Sequence, residues 1–94
     1  MKRQGDILII KIDRIPEGVV RKKDRVLAEG EATGHAHKLD AGDVYEKDGI
    51  LYFKADDTVH LNHEEHGQIT FKPGVYRVIR QREYEPDGWR NVAD

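Results

Sequence analysis

Five histidines fall in two groups: His35 and His37 flank a single alanine, and His60, His63 and His66 recur three apart. Imidazole is the side chain best suited to bind a transition metal or to move a proton near neutral pH, so the grouping marks where chemistry would sit. On a β-strand, residues i and i+2 project from one face about 7 Å apart at Cα, so His35 and His37 can converge on one small target. A third ligand from a neighbouring strand, with His60, His63 and His66 or the carboxylates Glu29, Glu31, Glu64 and Glu65 as candidates, would close a three-histidine or two-histidine-carboxylate centre with positions open for water. The expected metal set is His35, His37, His63 and His66. Zinc, nickel or iron suits such ligands, and no organic cofactor is expected. If the site is catalytic, His35, His37, Glu64 and Glu65 are the working groups, with Glu64 or Glu65 as general base toward a metal-activated water.

His63-Glu64-Glu65-His66 differs from the His-Glu-x-x-His motif of helical zinc proteases, which needs histidines at i and i+4 on a helix. His63 lies in phase with Val59 and Leu61, so it reads equally as a ligand or as a core histidine bonded to backbone. His60 shares a face with Asn62 and is expected to face solvent. A metal-free alternative uses two histidines as base and acid on a phosphodiester. It ranks lower, because no lysine or arginine is obviously placed to hold the phosphate.

The elements that must position these residues read as strands. Nine glycines and three prolines divide the chain into short β-branched and aromatic runs separated by turn chemistry. Ile7 to Ile12 is a buried strand. Val26 to Leu39 reads as one long strand with small apolar residues on one face and Glu29, Glu31, His35 and His37 on the other, polar face, unless a bulge at Gly30 or Gly34 switches the register. Val44-Tyr45-Glu46 and Ile50 to Phe53 form a hairpin around Asp48-Gly49. Thr58 to His63, Ile69 to Phe71 and Val75 to Tyr84 follow as strands, and Pro86 to Asp94 could close one short C-terminal helical turn. Six or seven short strands with tight turns predict an all-β fold, a small antiparallel β-sandwich or barrel, and residues 1–94 form a single β domain.

Composition excludes several classes. There is no cysteine, so disulfides and thiolate metal sites are out. Sixteen basic and eighteen acidic residues nearly cancel, which gives no field to attract nucleic acid or an anionic membrane. The basic run Arg21 to Arg25 carries no interleaved aromatic and reads as a solvated loop. The apolar run at Ile7 is too short for a signal peptide or a membrane span, so the expected location is cytoplasmic.

A competing expectation is a non-catalytic accessory protein that docks a protein partner through Arg80, Arg82, Tyr84 and Trp89, residue types that dominate interface energetics. An open sheet edge would also allow a homodimer.

Thr33-Gly34-His35-Ala36-His37, followed by Gly67 and then Pro73-Gly74, is faintly similar to the cupin barrel, and that resemblance reaches no further than His35 and His37 as ligands. The glutamate expected after the second histidine is replaced by Ala41 and Gly42, and no histidine follows Pro73-Gly74. The chain more closely resembles a small uncharacterised bacterial and phage-associated family, through Leu27 to His37, His63-Glu64-Glu65-His66-Gly67 and Val78 to Tyr84. That likeness implies no activity.

Overall fold

The computed structural model describes residues 1–29 and 35–80. It is an antiparallel β-sandwich, and among the described residues there is no helix. The described residues form ten strands: β1 (Lys2–Gln4), β2 (Ile7–Ile12), β3 (Val20–Arg21), β4 (Val26–Glu29), β5 (Ala36–Leu39), β6 (Asp43–Lys47), β7 (Ile50–Ala55), β8 (Val59–Asn62), β9 (Ile69–Phe71) and β10 (Gly74–Arg80). One sheet has the order β1-β2-β10-β7-β6-β3 and the other β4-β5-β8-β9.

Turn chemistry sets the hairpins. Asp48 and Gly49 both adopt positive φ, 52° and 80°, in the expected β6–β7 hairpin, and Lys47 joins the strand to pair with Ile50 across a two-residue turn. A second two-residue turn, Gly5-Asp6, joins β1 to β2 with Gln4 opposite Ile7, and Gly5 takes φ 60°. β10 then inserts between β2 and β7, pairing with both, so a strand near the end of the domain locks its first half to its middle.

Alternation buries one face of each sheet. Phe53, Phe71 and Tyr76 form the aromatic centre, with ring centroids 4.8–5.4 Å apart. Ile7, Ile9, Val44, Val59 and Leu61 surround them, each at most 1% exposed. Removing any of these large side chains would leave a cavity costing about 2–5 kcal/mol. The Tyr76 hydroxyl donates to the carbonyl of Lys72, so the ring is buried without an orphaned polar atom.

Two expectations need correction. The run from Val26 to Leu39 is not one strand: β4 and β5 pair antiparallel, Glu29 opposite Ala36, with a register shift between Val26 and Ala28. His37 lies with Leu39 on the inner face at 5% exposure, while Lys38 faces out, so His37 is not on a polar face. The extra strands β1 and β3 and the split of the long run explain why ten strands form where six or seven were expected. The basic run has a structural use. Arg21 pairs with Asp43 at 2.6 Å, Arg25 Nε donates to the carbonyl of Gly42, and the amide of Lys22 donates to that of Val44. Residues 81–94, with the expected end of the last strand and the C-terminal helical turn, lie outside the described residues.

Candidate metal centre

Three segments bring the histidines together. His35 and His37 enter from the start of β5, while His63 and His66 come from the turn between β8 and β9. The Gly5-Asp6 turn closes the site from the other sheet. His63 is central: its ring centroid is 4.4 Å from His37, 4.5 Å from His66 and 5.5 Å from His35. The rings of His37 and His66 are near-parallel, 6.1 Å apart. One ligand atom from each of His35, His63 and Glu64 lies within 4.8 Å of the other two.

Gln4 decides the state of His37. Its side-chain amide nitrogen donates to the carbonyls of Leu61 at 2.9 Å and Gly67 at 2.8 Å, which uses both hydrogens and fixes which end of the amide is oxygen. The remaining oxygen lies 2.8 Å from His37 Nδ1 and can only accept. In the neutral ring the proton is therefore on Nδ1, and Nε2 presents its lone pair. Burial holds His37 far below an ordinary histidine, at about 4, with His63, His66 and Arg80 acting in the same direction and Asp6 against them. His37 is thus neutral at pH 7.

The lone pair of His37 Nε2 faces a carboxylate, Asp6 Oδ1, at 3.6 Å. Two ligand atoms of a tetrahedral zinc lie about 3.3 Å apart, so this spacing suits a shared cation. Asp6 is also 3.6 Å from Arg80 through its other oxygen. Gly5 is needed beneath these rings: a Cβ there would come within 2.9 Å of His66 Nε2 and 3.2 Å of His37 Cε1.

His63 has a second task. Its Nδ1 accepts the backbone N–H groups of Glu65 at 3.0 Å and His66 at 3.3 Å, capping the turn. In the neutral ring that places the proton on Nε2, so a metal bound there must displace it at the expense of the two turn hydrogen bonds. Glu64 Oε1 accepts the Ala36 N–H at 2.9 Å, and this bond, with His35 and His63 nearby, holds its carboxyl below the usual range. Glu65 reaches to 3.6 Å from His35 Nδ1, the place of a carboxylate that orients a ligating histidine through its other nitrogen.

Of the expected site residues, His35, His37, His63, His66, Glu64 and Glu65 are thus gathered at one end of the sandwich. His60, a candidate third ligand by sequence, stands apart: its Nδ1 and its amide both bond the carboxylate of Asp40, at 2.8 Å each. Gln4, Gly5 and Asp6 were not expected at the site. The signal was present, because a Gly-Asp pair between short runs marks a two-residue hairpin, which would have placed Gln4 and Asp6 at its mouth. An arginine also adjoins the site, Arg80 beside Asp6, contrary to the expectation that no basic residue was placed there. Of the partner residues expected, Arg80 ends β10, while Arg82, Tyr84 and Trp89 lie outside the described residues.

The family model described as domain of unknown function (DUF8820) matches residues 3–81, nearly the whole described fold. The chain belongs to that family. No curated protein and no solved structure matches it. Among the described residues no helix is long and apolar enough to cross a membrane.

Proposed function

We propose that this DUF8820 domain binds one divalent transition metal, zinc, nickel or iron, at the histidine end of the sandwich. The observation that carries the reading is the approach of ligand atoms from His35, His63 and Glu64 to within 4.8 Å of one another, from two separate segments of the chain. His37 supports it, because Gln4 turns its lone pair toward Asp6 rather than into the core. His66 lines the same mouth. The donor set is nitrogen and carboxylate oxygen, which suits zinc, nickel or iron and leaves coordination positions for water.

When bound, the metal would supply Lewis acidity and an acidified water. Hydrolysis is the least demanding reaction of such a centre, and Glu65 fits the base role better than Glu64. Glu64 is tied to the Ala36 amide and sits within the ligand group, whereas Glu65 is largely exposed beside His35.

Untagged protein stripped with a chelator, then titrated calorimetrically with zinc and nickel, tests the reading. Binding of about one ion per chain, weakened at least tenfold by His63→Ala or Glu64→Gln and unchanged by His60→Ala, is expected. No uptake, or uptake indifferent to all three substitutions, would move the weight to a non-catalytic interaction protein.

A further inference from the structure

A cavity of about 220 Å³ is lined by Leu27, Ile50 and Leu51 together with Lys22, Glu46, Arg77 and Arg80, and Arg80 joins it to Asp6 of the histidine site. Three of its lining residues are cationic and one is anionic. Its charges are not equally committed. Lys22 is held by the Val26 carbonyl at 3.2 Å and Asp24 at 3.3 Å. Arg80 is tethered only loosely by Asp6 at 3.6 Å, and its Nε is buried with no hydrogen-bond partner among the described residues. That nitrogen is closed to solvent, but the Arg80 side chain as a whole is 30% exposed, and its planar fork matches the paired oxygens of a carboxylate or phosphate. Leu27, Ile50 and Leu51 meanwhile offer an apolar wall. An apolar lining with a few convergent polar groups is what small-molecule sites share, and a volume below the roughly 300–1,000 Å³ of drug-sized sites limits the occupant to a small molecule.

We propose that this cavity binds a small organic anion, its charged group paired with Arg80 and its apolar part resting on Leu27, Ile50 and Leu51. Because Asp6 lies between Arg80 and His37, the bound anion sits next to the proposed metal centre, where it would be that centre's substrate. The location beside the centre rests on the metal reading; the binding itself does not.

Two-dimensional ¹⁵N–¹H NMR titration of the full chain with phenyl phosphate and with benzoate, and with phenol as the uncharged control, tests it. Saturable shifts of the Leu27, Ile50 and Leu51 amides with the anions but not with phenol are expected. The stronger of the two anions identifies the charged group as phosphate or carboxylate. Arg80→Gln should weaken binding at least tenfold, Arg80→Lys less, and Ile50→Glu should weaken it by placing a negative charge on the wall. Ile50→Glu keeps the test open if Arg80→Gln fails to fold. His63→Ala should bind the anion as the wild type does, so loss of the metal site and loss of the anion site are read separately. Equal shifts with phenol, shifts that survive both Arg80→Gln and Ile50→Glu, or no saturable shift would overturn the proposal.

Discussion

Metal-free protein should lose stability as pH falls from about 6.5 to about 4, and His37 should account for most of the loss in that window. The ring is buried and neutral, with a folded-state value near 4, whereas an unfolded chain returns it to the ordinary 6.5. Between these values the unfolded state holds more protons than the native one, so stability rises with pH. The contribution is complete above the unfolded value and disappears as pH falls toward the folded one. The shift of about 2.5 pH units corresponds to on the order of 3 kcal/mol across the window, and to about 2 kcal/mol by pH 5. A domain of this size has roughly 5–10 kcal/mol to lose, so the change is large. The lowered carboxyls of Asp24, Asp40 and Glu64 add losses of the same sign, but at lower pH, where carboxylates begin to protonate. Urea unfolding at half-unit steps from pH 7.5 to 4.5 in the presence of a chelator reads the slope. His37→Gln, which keeps a hydrogen-bonding group for Gln4 and cannot titrate, should be flat by comparison above pH 5. Parallel curves for the two proteins would refute the argument, since they would place the pH dependence elsewhere.

Three further outcomes follow from the same contacts. Gln4→Leu removes three buried or half-buried hydrogen bonds, to Leu61, Gly67 and His37, and should cost roughly 2–4 kcal/mol in urea melts while weakening zinc binding; a cost under about 1 kcal/mol would mean that the amide is dispensable. Gly5→Ala meets both a positive φ and the crowding of His66 and His37, so a loss of roughly 1–2 kcal/mol is expected together with displaced His66 resonances by NMR; an unperturbed spectrum would show that the turn is looser than its geometry. His63→Ala should lower the melting temperature more than His60→Ala, because His63 caps two backbone amides whereas His60 makes a half-exposed pair with Asp40 worth about 1 kcal/mol or less; equal melting temperatures would contradict the assignment of His63 to the turn.

What could be read from the chain depended on whether the signal was local. The β6–β7 hairpin was legible because Asp48-Gly49 is a short-range code for positive φ. The phase of Val59 and Leu61 was equally clear, and both are buried. The run from Val26 to Leu39 misled because its glycines and alanines keep an even alternation through a region where the chain doubles back. An even alternation carries no mark of the reversal that the antiparallel pairing of β4 with β5 requires. His35 and His37 both reach His63, but they are not equivalent: His37 is buried on the inner face of β5, whereas His35 precedes the strand and is half-buried.

The hairpin that carries Gln4 could be read from Gly5-Asp6, but the reach of Gln4 to His37 could not. Gln4 leaves the edge strand β1 of one sheet and bonds the carbonyls of Leu61 in β8 of the other and of Gly67 in the β8–β9 connection, so the lone pair of His37 is presented only when the two sheets have docked. The histidine end of the sandwich is therefore assembled by the fold rather than carried by any one segment. A metal that binds this arrangement and not the unfolded chain must stabilise the whole domain, by about 2.7 kcal/mol at a hundredfold excess over its dissociation constant. The cost of breaking the His63 turn bonds is subtracted from the affinity, not from that linkage. Calorimetric affinity and the rise in unfolding free energy should then agree for the wild type, and Gln4→Leu should depress both together. A variant that kept its affinity while losing the stabilisation would show that the metal also binds the unfolded chain, and that the docked sheets do not create the site.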